Sequence, residues 1–182
     1  EDLYQAVHAT HCALQLARFA DAYAARLRQE GIVFGRTRIG IHKGLAIVGN
    51  FGSEERFQYT AIGDTMNIAA RLESANKHLG TRILVSASVV ESCPDQRFRR
   101  VASVIVQGRA QALTVFEPLD DLEGQKDAQY SEAYELMAAG DERCTERFAA
   151  LASSHPDDEL IKFLARRCAA GRFSTTVMLM EK

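Results

Sequence analysis

Two polar residues, Asn67 and Arg71, stand four positions apart in a stretch whose pattern predicts a helix. Side chains four residues apart lie on the same face of a helix, so a neutral amide and a fixed cation would stand side by side near its start. Such a pair suits a polyanionic ligand. The alternative is an ordinary solvated helix face, because polar side chains usually face water.

A short strand and a sharp turn are expected to bring this helix into place. Residues 58–62 predict the strand, because their tyrosine, threonine and isoleucine favour extended backbone. Gly63 and Asp64 end the strand. The side chain of Asp64 or Thr65 is then expected to accept hydrogen bonds from the free amides at the helix start.

The same helix should continue to about Leu79 and stop at Gly80. Its apolar residues recur at helical spacing and are expected to face the core. These residues are Ile68, Leu72, Ala75 and Leu79.

Three linked blocks of sequence resemble a known family. They read RIGIHKG at residues 38–44, VGNFGS at residues 48–53 and YTAIGDTMNIAARLES at residues 59–74. Three blocks at family spacing are a more specific signal than any single short motif. The chain resembles the catalytic domain of class III nucleotide cyclases, the adenylate and guanylate cyclase family, and covers roughly the C-terminal two thirds of it.

The resemblance implies a reaction and roles for four residues. In the family, the ribose 3′-hydroxyl attacks the α-phosphate and expels pyrophosphate. By resemblance, Asn67 orients the ribose and Arg71 stabilises charge on the α-phosphate. Thr60 would accept a hydrogen bond from the adenine amino group, and guanylate cyclases usually carry cysteine there, so Thr60 favours ATP. Arg109 could replace the lysine that binds the terminal phosphates, with a different reach and geometry, and the alternative is an exposed cation at a turn.

The resemblance also implies metal ions and a second subunit. Two divalent cations, Mg²⁺ or Mn²⁺, would activate the nucleophile and neutralise the phosphates. Their aspartate ligands are expected in the part preceding Glu1, so no metal ligand is predicted here and the chain as given is expected to be inactive alone. A homodimer follows, held in part by a hairpin around residues 49–56, for which a plain surface hairpin is the alternative. The parent protein of such a domain is frequently membrane-anchored.

The order of predicted elements favours an α+β fold with helices laid on an antiparallel sheet. The resemblance implies the class III cyclase fold, a ferredoxin-like sheet with helices on one face, here without its N-terminal part. A capping box formed by Ser88 and Glu91 is expected to begin a short helix that reaches Cys93. The predicted elements are a helix at 3–30, paired strands at 38–42 and 45–48, a strand at 82–85, a short helix reaching Cys93, and strands at 98–106 and 113–117.

A change of composition divides the chain. Residues 1–119 are expected to form the partial cyclase catalytic domain, residues 120–129 a polar linker, and residues 130–182 a small all-α tail. The tail weakly resembles a tetratricopeptide-like helix pair, with too little sequence for an array. It is expected to pack on the rest of the chain or on a partner copy.

Composition narrows the possible partners and location. The chain has 182 residues, 47% of them hydrophobic, and a net charge of −2, which gives no electrostatic case for nucleic acid. No apolar run could cross a membrane, and the acidic start is unlike a signal peptide. The four cysteines lack metal-pair spacing and indicate reduced thiols in the cytoplasm.

The leading hypothesis is an adenylate cyclase that converts ATP to 3′,5′-cyclic AMP and pyrophosphate in intracellular signalling. The first alternative is a catalytically inactive cyclase-like module that signals by dimerisation. The second alternative is a helical adaptor acting through residues 130–182.

Overall fold

The computed structural model describes residues 2–53, 56–105, 112–120 and 126–178. Helices and strands follow one another from the first of these ranges to the last. In chain order they are α1 (Asp2–Gln29), β1 (Ile39–Ile41), β2 (Ile47–Ser53), β3 (Arg56–Ile62), α2 (Asp64–Leu79), β4 (Ile83–Ser86), α3 (Ala87–Val90), β5 (Phe98–Ile105), β6 (Leu113–Pro118), α4 (Lys126–Ala138), α5 (Cys144–Ser154), α6 (Glu159–Ala169) and β7 (Thr176–Met178).

The strands form one mixed sheet and one separate hairpin. The sheet has the order β1-β4-β6-β5-β7, in which β1 runs parallel to β4 and β7 runs parallel to β5, while β6 is antiparallel to both of its neighbours. The hairpin pairs β2 with β3 along their whole length. A mixed sheet with separate helices confirms the predicted α+β class.

One predicted strand pairing is wrong. Residues 38–42 and 45–48 were expected to pair with each other across a turn at Lys43 and Gly44. Instead β1 pairs with β4, with Gly40 opposite Leu84, and β2 pairs only with β3. The reason is that Lys43 is held by the α3 region: its carbonyl accepts a hydrogen bond from Ser88 Oγ at 2.8 Å, and its Nζ donates to Ser92 Oγ at 2.9 Å.

Helices cover both faces of the sheet, whereas the resemblance implied one covered face. Side chains alternate along β4, so that Ile83 and Val85 pack towards α1 and Leu84 packs towards α2. The face of α1 that meets the sheet is made of small residues. These are Ala6, Thr10, Ala13, Ala17 and Ala20, all of them buried.

The tail helices share a hydrophobic core with α2 and the sheet. Tyr130 of α4, Phe148 of α5 and Leu160 of α6 are fully buried and belong to the same cluster as Leu72 and Val101. Strand β7 extends the sheet beside β5. The predicted tail helices are therefore present and pack on the rest of the chain. Helix α4 begins at Lys126, inside the predicted linker at residues 120–129.

A buried ion network fastens α6 to the sheet. The Arg99 guanidinium on β5 donates to Glu117 Oε2 on β6 at 2.6 Å and to Asp158 Oδ2 at 2.7 Å. Burial by itself lowers the pKa of Arg99, but Glu117 and then Asp158 more than offset it and raise that pKa above its ordinary value. Asp158 is also the N-cap of α6, where its Oδ1 accepts from the amide of Ile161 at 3.1 Å. One carboxylate thus serves both the helix start and the ion network.

Two of the four free thiols meet in the tail. Cys144 on α5 and Cys168 on α6 are buried, and their sulfur atoms lie 3.3 Å apart. Burial first, and then the hydrogen bond with Cys144, raise the pKa of Cys168 to about 12. The Cys168 thiol therefore stays protonated at neutral pH, and the two buried cysteines act as packing groups.

None of the helices in the described ranges combines the length and the apolar character needed to cross a membrane.

We expect Asp158→Asn to destabilise the protein by about 1–3 kcal/mol, because the substitution keeps a side chain able to cap α6 but removes a buried charge from Arg99. Urea unfolding followed by circular dichroism measures the loss. Asp157→Asn is the matched control, since Asp157 is the next residue along the chain and is exposed. Equal stability of the two variants would show that the network does not fasten the tail.

Candidate functional site

The three described candidate residues lie on two consecutive elements joined by one glycine. Thr60 is on β3, Gly63 connects the elements, and Asn67 and Arg71 are on α2. Helix α2 has the predicted bounds, and its C-cap Gly80 adopts the left-handed conformation with φ of 78°. The four residues predicted to face the core are buried, which confirms that prediction: Ile68, Leu72, Ala75 and Leu79.

The candidate pair occupies the part of α2 that faces away from the core. Asn67 is exposed and Arg71 is half-buried, and the pair is one helical turn apart. A half-buried arginine packs part of its aliphatic stem against protein. The geometry therefore offers an amide and a cation to a ligand that approaches the first half of α2.

The predicted cap of α2 is wrong in its detail. The N-cap residue is Gly63, with φ of 152° and ψ of 166°. Asp64 is the first helical residue, where a negative charge is favoured by the helix dipole. Thr65 Oγ1 does not accept a helix amide but donates to the carbonyl of Leu45 at 2.6 Å. The chain adopts this entry because glycine brings its backbone close to Leu45, whose oxygen would lie 3.3 Å from an added Cβ.

Helix α2 crosses β1 with almost no space between the two backbones. A Cβ added at Gly40 would lie 2.2 Å from the carbonyl oxygen of Ala69 and 2.4 Å from the amide nitrogen of Glu73. Only glycine fits at such a crossing. Gly40 lies in the first of the three family-like blocks, yet no local pattern around it predicts this contact with the helix.

A buried amide fastens the other end of α2 to the same strand. Asn76 Nδ2 donates to the carbonyl of Ile39 at 3.0 Å and to that of Leu72 at 2.9 Å. Its Oδ1 accepts from Thr81 Oγ1 at 2.8 Å. Sequence reasoning missed Asn76, although a polar residue at a core-facing helix position is the signal that could have found it. Thr65, Gly40 and Asn76 together fix the helix that carries the candidate pair.

A chain of polar side chains holds the loop between β1 and β2. His42 Nδ1 and Ser86 Oγ are joined by a hydrogen bond of 2.8 Å, and Ser86 Oγ lies 3.0 Å from Ser88 Oγ. Ser88 donates to the Lys43 carbonyl, so the predicted capping box at Ser88 is wrong: α3 is four residues long and Ser86 precedes it without a side-chain cap. These bonds place the loop against which Thr65 rests.

The hairpin carrying Thr60 exposes large apolar side chains. Thr60 pairs with Gly49, so both lie on one face of the hairpin with Ile47 and Ile62. The other face presents Phe57 and Tyr59, which are 68% and 74% exposed. These two neighbouring aromatic side chains are therefore open to solvent in the single chain.

The remaining candidate residue, Arg109, and the largest of the cavities described here do not add to the geometry of this site. Arg109 lies outside the described residues. A cavity of about 540 Å³ is lined by parts of α1, β4 and the segment between α5 and α6, and it contains neither Thr60, Asn67 nor Arg71. These candidate residues therefore lie outside this cavity. Within the described ranges, no group of three His, Cys, Asp or Glu side chains could hold a metal ion.

Comparison with known proteins identifies related sequences and structures. The family profile described as "Adenylate and Guanylate cyclase catalytic domain" matches residues 2–117. Adenylate cyclase 1 of Rhizobium meliloti is 44% identical over 117 residues, which cover 64% of this chain and 18% of that protein. Adenylate cyclase of Anabaena cylindrica is 34% identical over 120 residues, which cover 59% of this chain and 24% of that protein. The chain therefore spans about a quarter or less of the length of these relatives.

A solved structure shows the same fold. The adenylyl cyclase CyaB from P. aeruginosa superposes with a TM-score of 0.60 at 28% identity, covering 66% of this chain and 62% of that one.

We expect Gly40→Ala to lower the free energy of unfolding by about 3 kcal/mol, because its methyl group would meet the backbone of α2, which cannot move aside. Urea unfolding followed by circular dichroism measures the change. Gly35→Ala is the matched control, since an added Cβ there meets nothing within 4 Å, and its effect should stay within about 0.5 kcal/mol. A small effect at Gly40 would mean that α2 can be displaced.

Proposed function

Because the chain belongs to the adenylate and guanylate cyclase catalytic-domain family, we propose that it is part of an adenylate cyclase that converts ATP to 3′,5′-cyclic AMP and pyrophosphate. The observation that carries the proposal is the family match over residues 2–117 together with Asn67 and Arg71 on one open face of α2. The two adenylate cyclase relatives support the choice of ATP.

Each candidate residue has a task in this reaction that its chemistry suits. The Asn67 amide can donate to and accept from the ribose and hold its 3′-hydroxyl towards the α-phosphate. Arg71 carries a permanent charge and a planar set of donors for the oxygens of the α-phosphate as the pentavalent arrangement forms. Arg109 is proposed to bind the terminal phosphates. These tasks are positioning and charge stabilisation, which need a rigid helix.

Thr60 is proposed to favour ATP over GTP. Its hydroxyl oxygen can accept a hydrogen bond from the adenine amino group, whereas the resemblance implies a cysteine at this position in guanylate cyclases. Thr60 is half-buried, so the bond would form partly out of water, where an unmatched polar group costs more.

The described residues contain no group of three His, Cys, Asp or Glu side chains that could hold a metal ion. We propose that the reaction needs Mg²⁺ or Mn²⁺, as the family resemblance implies. We also propose a cytoplasmic location for the catalytic portion and a membrane anchor in the parent protein.

We further propose that two copies of the chain form a homodimer through the hairpin. The hairpin extends the protein with apolar side chains on both of its faces, including Ile47, Phe57 and Tyr59. Its two strands pair with each other and not with the main sheet. A second copy would cover this surface and bring the site residues of one subunit to the other.

Arg71→Ala and Asn67→Ala are each expected to lower kcat about 10²–10³-fold, because each removes a group that acts on the reacting centre. The measurement is cyclic AMP formed from ATP, with GTP as the competing substrate, in Mg²⁺ and then in Mn²⁺. It is made on this chain and on the full-length product of its gene. Ser74→Ala, an exposed change on the same helix, is the control and should leave kcat unchanged.

Absence of cyclic AMP from both proteins would contradict the proposal and favour an inactive cyclase-like module. Preference for GTP would contradict the assignment of Thr60. Turnover by this chain alone would show that residues within it, and not before Glu1, meet the metal requirement.

Phe57→Asp is expected to weaken the homodimer about tenfold or more, because it places a charge in the apolar surface that a second copy would bury. Sedimentation velocity over a range of protein concentrations measures the association. Gln129→Asp is the matched control, since it adds the same charge at an exposed position on α4 and not on the hairpin. A wild-type chain that stays monomeric at all concentrations would remove this interface.

A further inference from the structure

A recess of about 180 Å³ lies where three segments meet, at the end of α2 remote from Asn67. The segment before β1, the last turn of α2 and the helix α6 each contribute cationic or titratable basic side chains to its lining. These are Arg36 and Arg38, then Lys77 and His78, then Arg166. Glu159 is the carboxylate residue among the residues that line it.

Among the described residues that line the recess, basic side chains outnumber carboxylates. In the described part of the chain, no carboxylate forms an ion pair with Arg38, Lys77 or Arg166. Glu159 is already engaged, because its Oε1 accepts from Lys162 Nζ at 2.8 Å. That bond, and then the charges of Arg166 and Arg36, hold the pKa of Glu159 below its ordinary value. The recess thus has a clear excess of positive charge.

Hydrogen bonds hold the side chains of Asn76 and Thr81 in the recess, so a ligand would not need to rearrange them. Asn76 and Thr81 lie there, and their side-chain groups are bonded to each other and to the backbone at Ile39. Gly80 sits against the backbone of Glu159, where an added Cβ would lie 2.7 Å from the carbonyl carbon. The walls from α2 and α6 are therefore held at a fixed separation.

A helix C-terminus explains only part of this charge. Lys77 and His78 belong to the last turn of α2, where basic residues are favoured by the dipole. The other basic residues, Arg36, Arg38 and Arg166, come from other segments. The fold therefore brings like charges together although they repel one another. Gathered cations in a concave site raise the local concentration of anions.

We propose that this recess binds a small polyanion of the pyrophosphate class between the end of α2 and the tail helix α6. Its volume equals that of roughly six water molecules, which suits one or two phosphate groups. Arginine forks and a lysine point charge from several directions match the dispersed oxygens of a diphosphate.

The site is distinct from the proposed catalytic site and does not depend on it. Lys77 is ten residues beyond Asn67, and a helix rises 1.5 Å per residue, so the two lie about 15 Å apart along α2. A ligand held by both α2 and α6 binds only the state in which the tail is docked. It therefore stabilises the folded protein in proportion to its concentration.

Isothermal titration of the chain with sodium pyrophosphate, at constant ionic strength, tests the proposal. We expect saturable binding to the wild type, weakened about fivefold to tenfold by each of Arg38→Gln, Lys77→Gln and Arg166→Gln, since each removes a charge-assisted contact. Glu159→Gln should strengthen binding, because it removes the opposing carboxylate and frees Lys162. Arg28→Gln, an exposed cation at the end of α1, is the matched control and should leave the affinity unchanged.

Arg71→Ala separates this site from the catalytic one, and we expect it to leave pyrophosphate binding intact. Loss of binding in Arg71→Ala with normal binding in Arg166→Gln would overturn the inference. So would absent binding to the wild type, or equal affinity for sulfate and pyrophosphate.

A parallel titration with vesicles containing phosphatidylglycerol is expected to show no binding. Binding to vesicles but not to soluble pyrophosphate would assign the cations to a lipid headgroup and overturn the small-ligand proposal. Melting curves of each variant show that the changes act on the folded protein.

Discussion

The close crossing of α2 over β1 is the constraint on which the rest of the structure depends. At Gly40 the strand and helix backbones approach so closely that a single methyl group cannot be inserted. Asn76 and Thr65 hold the two ends of the helix, through Ile39 and Leu45. A helix held at three points cannot rotate or slide. The face that carries the candidate residues is therefore as fixed as the sheet beneath it, which is what charge stabilisation without reorganisation requires.

Local patterns predicted most of the helices and strands, because these patterns reflect interactions between neighbours in sequence. The spacing of Ile68, Leu72, Ala75 and Leu79 fixed the core face of α2, and Gly80 fixed its end. Pairing between strands depends on distant residues, and that is where prediction failed. Nothing local to residues 38–48 shows that Gly40 faces α2 or that Ser88 will bind Lys43, so a hairpin was predicted where the chain continues to β2 and β3. The motif positions Thr60, Asn67 and Arg71 could be identified, but the polar contacts that support them could not.

The tail shows a second limit of sequence patterns. Its helices were predicted from composition, but the buried contacts of Arg99 with Glu117 and Asp158 join residues 18 and 59 positions apart. Removing these charges from water carries a cost that their attraction only partly offsets. The network instead fixes the orientation of the tail. The capping carboxylate of α6, Asp158, can reach Arg99 in only one arrangement of α6 and the sheet. The position of α6 beside α2, and with it the recess of basic side chains, follows from that arrangement.

The two proposed sites make different demands on the same helix. Near its start, α2 presents Asn67 and Arg71 on an open surface beside a hairpin whose apolar side chains are uncovered. Such a surface becomes enclosed only when another subunit covers it, so the proposed chemistry belongs to an assembly of chains. Near its end, α2 meets α6 of the same chain, and the walls of the recess are already in place. A ligand there would sense whether the tail is docked, and the rigid pinning of α2 to β1 is the element through which such binding would reach the first half of the helix.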